Sequence, residues 1–245
     1  MRFVPIIGLL LTVVLSAPAP LLAQKMHLPV LEAKVAACVA TLSPQARHIV
    51  HQPSQQGRIR LPRRDVAPLR QCLSLARDVD DARAVLALQR DLMALPPAVT
   101  APASEVVQAE AMAIAERIVA TTRAYAERYR MVGSPLFNNF LVHVGAKEGG
   151  FCYQWTSALA RAMQTVPWNA FAHHWGVANL QKVTENNALL IVRRGMPIET
   201  GLVYDAWRGA GTPYWRKIAA DHYQWTVRYS EHHLSIGVGL EPEPE

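Results

Sequence analysis

Between Gln24 and Arg123 the chain has no phenylalanine, tyrosine or tryptophan, and between residues 24 and 132 its only glycine is Gly57. A stretch without large rings or glycines lacks the material of aromatic pockets and tight strand turns. Being rich in Ala, Leu, Val and Arg, it is expected to be helical. The sequence has no glycine-rich phosphate loop and no dinucleotide fingerprint, which excludes nucleotide binding by those devices and implies no cofactor. No Cys/His pair has metal-ligand spacing, so no metal is expected from spacing. No aromatic residue lies near the arginines of "GRIRLPRR" (Arg58, Arg60, Arg63, Arg64). The stacking half of a nucleic-acid site is therefore missing. The cluster reads as a solvated loop, able at most to touch anionic lipids or polymers as a peripheral association with the cell envelope. The formal charge of +6 is mild.

What is present begins at the N-terminus. Met1-Arg2 precedes an apolar run from Phe3 to Leu15, then Ser16 and "APAPLLAQ". This reads as a secretory signal over residues 1–23, cleaved near Ala23, and implies a periplasmic or secreted protein. The alternative is an uncleaved anchor in the inner membrane, against which Pro18, Pro20 and the missing basic flank argue. No cysteine follows "LLAQ", so a lipid anchor has no acceptor there.

There are three cysteines. An exported chain meets an oxidising compartment, and Cys38 and Cys72 both lie in the helical part. Pairing them would close a loop of 34 residues, worth about 3–4 kcal/mol in the chain-entropy view. Cys152 would be the odd thiol, either a reactive group or a small buried hydrophobe.

The chain divides at the first aromatic residues. Residues 24–131 form a helical region broken at prolines. One helix is expected from Leu31 to Thr41, a short one in "SPQARHIV" with Ser43 as cap, and another from Asp65 through Cys72. "DVDDARAVLALQRDLMAL" follows with helical spacing, and the longest helix is expected from Ser104 to Arg130. Residues 132–235 change grammar. "PLFNNFLVHVG" and "FCYQWTSALARAMQTV" read as helices, "FAHHWGVANL", "NNALLIVRR" and "GLVYDAWRG" as strands. A helix followed by at least three mostly antiparallel strands makes this an α+β domain. Residues 236–245, ending "EPEPE", read as a disordered tail.

In "KEGGFCYQW" two glycines lead into Cys152 at the mouth of a helix. A nucleophilic cysteine needs a lowered pKa, a base within reach and a group orienting that base. The positive end of a helix dipole favours a thiolate. The next strand offers His173 and His174, of which one faces the helix, and the third strand offers Asp205. The residues of "GGFCYQW", "HHW" and "LVYDAWRG", in the order Cys, His, Asp, resemble the papain-like superfamily, especially its transglutaminase-like branch. There a cysteine opens a helix packed on an antiparallel sheet.

The resemblance implies Cys152 as nucleophile, His174 as base (Trp175-Gly176 follows it) and Asp205 as orienting carboxylate. Gln154 or the Cys152 backbone N–H could serve an oxyanion, and Glu185, Asn186 or Asn187 could be the orienting group instead. Trp175, Asn187 and Trp207 are the remaining candidate binding residues. The reading is an exported thiol enzyme acting on amide or ester bonds of protein or cell-wall peptide, by hydrolysis or acyl transfer. Its rival is a non-catalytic envelope binding or scaffold protein on a degenerate fold of this kind. A third reading has Cys152, His174 and Asp205 as a three-ligand zinc set.

Overall fold

The structure, a computed structural model, describes residues 28–51, 61–99 and 102–240. The expected signal segment, Arg58, Arg60 and "EPEPE" lie outside them. Seven α-helices and a five-stranded antiparallel sheet make the described residues a mixed α+β structure.

The first four helices are α1 (Leu28–Ala40), α2 (Pro44–His51), α3 (Arg63–Met93) and α4 (Ser104–Arg128). Proline opens α2 because a first-turn residue needs no N–H, and Ser43 Oγ accepts from Ala46 N at 3.4 Å. α3 is one helix of 31 residues and outruns the 25 of α4, against the sequence expectation. Pro68, the sixth residue of α3, removes one i→i−4 bond, the one to Arg64 O, and does not divide the helix. Arg63 and Arg64 belong to the first turn of α3 rather than to a loop. Cys38 and Cys72 form a disulfide that joins α1 to α3 beside Val39, Leu42 and Leu69. Among the described residues no helix is long and apolar enough to cross a membrane.

Ser134 caps α5 (Pro135–His143), accepting from Phe137 N at 3.2 Å, and α6 spans Cys152–Met163. The strands follow as β1 (Phe171–Ala178), β2 (Asn186–Arg193), β3 (Leu202–Tyr204), β4 (Trp215–Lys217) and β5 (Thr226–Tyr229), with α7 (Glu231–Ser235) last. Their spatial order is β4-β3-β2-β1-β5. Every residue of β2 is buried. That matches the unbroken apolar run "ALLIV", which suits a central strand covered on both faces.

One sheet face carries Phe171, Trp175, Leu189, Ile191 and Tyr204 into a core with α3, α4 and α6. The same core includes Val85 and Leu88 of α3, so it runs without a break across residue 131. The opposite face carries Ala178, Ala188, Leu190 and Val203 against Ile218 and Trp225. Gly176 is required on this face, because a Cβ there would lie 2.6 Å from Leu190 Cγ. Beyond α7, residues 236–240 turn back rather than trail away: Val238 N donates to His233 O at 2.9 Å, and Leu240 packs on the main core.

Candidate functional site

Cys152 is the first residue of α6. Gly150, at φ +128°, turns the chain into it, a conformation that only glycine adopts readily. Gln154 reaches back so that its Oε1 accepts from Gly150 N at 2.8 Å and Phe151 N at 3.1 Å. Its carbonyl thus holds the entry to the helix closed. Upstream, Lys147 Nζ donates to buried Asn138, whose amide also ties Val132 and Ser134, so the approach to Cys152 is braced.

The neighbour of the thiol is an amide. Asn187 Nδ2 lies 3.7 Å from Cys152 Sγ, and the thiol in turn points at Glu185 O at 3.8 Å. Asn187 is held by Trp175, whose Nε1 donates to Asn187 Oδ1 at 2.7 Å, and it donates to Glu185 Oε1 at 3.1 Å. Burial pushes the Cys152 thiol above its ordinary pKa. The Asn187 amide and the Tyr153 N–H oppose this, while the charge of Asp205 adds to it.

Asp205 directly follows β3 and is 1 % exposed. Its Oδ2 accepts from Asn186 Nδ2 and Arg208 Nε, both at 2.7 Å, and its Oδ1 accepts from Arg208 N at 2.9 Å. Arg208 continues as a fork onto Asp221, with Nη1 to Oδ1 at 2.8 Å and Nη2 onto Oδ2. Its guanidinium stands over the rings of Tyr214, Tyr223 and Trp225. Burial pushes the Asp205 carboxyl up against the pull of Arg208 and Asn186. Asn186 also accepts from Asn187 N at 2.9 Å. A continuous polar chain therefore runs from Cys152 through Asn187 and Asn186 to Asp205, Arg208 and Asp221.

Neither histidine is in that chain. His174 pairs with Leu190 across β1 and β2, and Leu190 belongs to the core on the sheet face opposite α6. The preference for His174 as the residue facing Cys152 is therefore corrected by strand alternation. His173, paired with Ile191, is on the face of α6. It stands four residues from Val177, the partner of Asn187, or about 13 Å along the strand. Its ring stacks on Trp168 at 4.3 Å, both its nitrogens lack a hydrogen-bond partner among the described residues, and burial lowers its pKa to about 4. Burial also lowers that of His174.

Cys152, Asn187 and Trp175 are thus brought together, with Asp205 joined to them through Asn186. Gln154 is used as a cap. Trp207 turns away, its Nε1 donating to Asn139 of α5 at 3.0 Å. Among the described residues no three His, Cys, Asp or Glu side chains are grouped to hold a metal ion, so the zinc set is not assembled. Sequence reasoning missed Asp221. The signal it left was an acid within the aromatic segment "ADHYQW".

No protein-family model, no curated protein and no solved structure matches the chain.

Proposed function

We propose that the chain is a non-catalytic binding protein of the cell envelope, built on a papain/transglutaminase-like layout whose cysteine does not act as a nucleophile. The observation that carries this reading is that Asn187, an amide unable to take a proton at neutral pH, occupies the position beside Cys152 where a base is needed. Burial raises the thiol rather than activating it. The layout itself, a helix opening with cysteine against an antiparallel sheet and an aspartate at a strand end, supports the likeness. The envelope location rests on the N-terminal apolar segment and on the Cys38–Cys72 disulfide, which suits an oxidising compartment. The partner class that follows is protein or cell-wall peptide.

A thiol acyl-transfer enzyme is the second reading. It is favoured by Cys152 standing at the positive end of the α6 dipole. A chromogenic ester such as p-nitrophenyl acetate separates the two. On the proposed reading the protein and its Cys152→Ala variant release nitrophenol at the same slow rate without a burst. A burst stoichiometric with protein and lost in Cys152→Ala would overturn it.

A further inference from the structure

A groove of about 600 Å³ opens where α3, the end of α4 and the loop after β3 meet. Arg77 and Asp81 of α3, Arg123 of α4, then Arg130, Met131 and Gly211 line it. Its central guanidinium is already satisfied: Arg123 Nη1 donates to Asp78 and Asp81 at 2.6 Å each. Arg77 and Arg130, in contrast, have no ion-pair partner among the described residues. The acids Asp80 and Glu127 also line the groove, at 3.7 Å from Arg83 and 3.8 Å from Arg123 respectively.

The backbone gives an independent indication. Arg130 has φ +47°. Met131 N donates to Ala126 O at 3.0 Å and Arg130 N to Glu127 O at 3.1 Å, the paired bonds of a helix end whose left-handed residue is usually glycine. In the loop after β3, Ala210 has φ +50° and the same pair of bonds, Gly211 N to Ala206 O and Ala210 N to Trp207 O. Two turns lining the groove thus place non-glycine residues in a conformation that costs stability, and such strain gathers at ligand clamps. At position 130 the strained residue is also one of the two cations without an ion-pair partner among the described residues. The groove floor adjoins the loop before Cys152, since a Cβ on Gly150 would lie 3.6 Å from Met131 Sδ.

We propose that this groove binds a short zwitterionic peptide, its carboxylates on Arg77 and Arg130 and an ammonium toward Glu127 and Asp80. The site does not depend on whether Cys152 reacts. The test is calorimetric titration of the full chain at low salt with the peptide Ala-Glu-Lys-Ala bearing free ends, and separately with inorganic phosphate. Arg130→Gly is expected to weaken peptide binding at least tenfold while raising Tm by about 2–4 °C through relief of the left-handed strain. Arg77→Gln is expected to weaken binding similarly. Three results would overturn the proposal: no peptide binding by the unmodified chain at millimolar concentration, unchanged binding by Arg130→Gly, or phosphate binding as tight as the peptide's with the same dependence on Arg130.

Discussion

Arg208→Met is expected to cost about 3–5 kcal/mol of folding stability, because it strands two buried carboxylates at once. The side chains of Asp205 and Asp221 are both 0 % exposed, and Arg208 donates to each. Methionine has the length to keep contact with Tyr214, Tyr223 and Trp225, so the loss reports charge and hydrogen bonding more than packing. Asn186 would still donate to Asp205 and Trp225 to Asp221, which keeps the loss from being larger. Urea unfolding measures it.

The pH dependence has a definite sign. Burial alone would raise the Asp221 carboxyl, but its bonds to Arg208 and Trp225 overcome that and hold it at about 2. A carboxylate with a folded pKa below its unfolded value, about 4, stabilises the fold above that value and stops doing so as pH falls toward 2. The gap between wild type and Arg208→Met should therefore narrow below about pH 4. A gap that stays constant down to pH 2 would remove Asp221 from the account.

Glu110→Ala is the second large effect, expected at about 3–5 kcal/mol. Glu110 leaves α4 to accept three successive backbone N–H groups, Asn169 at 2.8 Å, Ala170 at 2.9 Å and Phe171 at 2.9 Å, where the chain enters β1. The residue is 3 % exposed. Alanine would leave these donors without an acceptor in a site with little access to water. It would also remove the carboxylate whose charge acts on Arg193, whose Nε and Nη1 have no hydrogen-bond partner among the described residues. Glu110→Gln keeps one acceptor oxygen and should lose roughly half as much. Urea unfolding gives the magnitudes. Hydrogen exchange gives the place, with the amides of residues 169–171 accelerated more than those of β2.

The elements legible in the sequence were those with local signals. Pro44, Ser134 and Gly145 mark helix ends, and "NNALLIVRR" is long and apolar enough to read as a buried strand. β4 and β5 were not legible: "WRK" and "TVRY" are short and mostly exposed, and pairing with β3 and β1, not local pattern, makes them strands. The cysteine was legible because its glycines and helix start are local. Its surroundings were not. Which of His173 and His174 faces α6 depends on strand register, and a shift of one residue exchanges the faces. Asn187 could be named from "TENN" as a polar group near the site, but that it lies against the thiol is fixed by the β1–β2 pairing and by the Trp175 indole. Asp221 joins Arg208 across a separation of 13 residues, which no short motif encodes.

The central claim is that Cys152 is packed beside an amide and is not activated. The most direct measurement is the pH dependence of iodoacetamide labelling of Cys152 in the folded protein, read by peptide mass mapping, with His173→Ala and His174→Ala alongside. The account predicts slow labelling that rises only above the ordinary thiol range of about 8.5, and no change in either histidine variant. Fast labelling that levels off below pH 7 and is slowed by loss of a histidine would contradict it and establish Cys152 as a nucleophile.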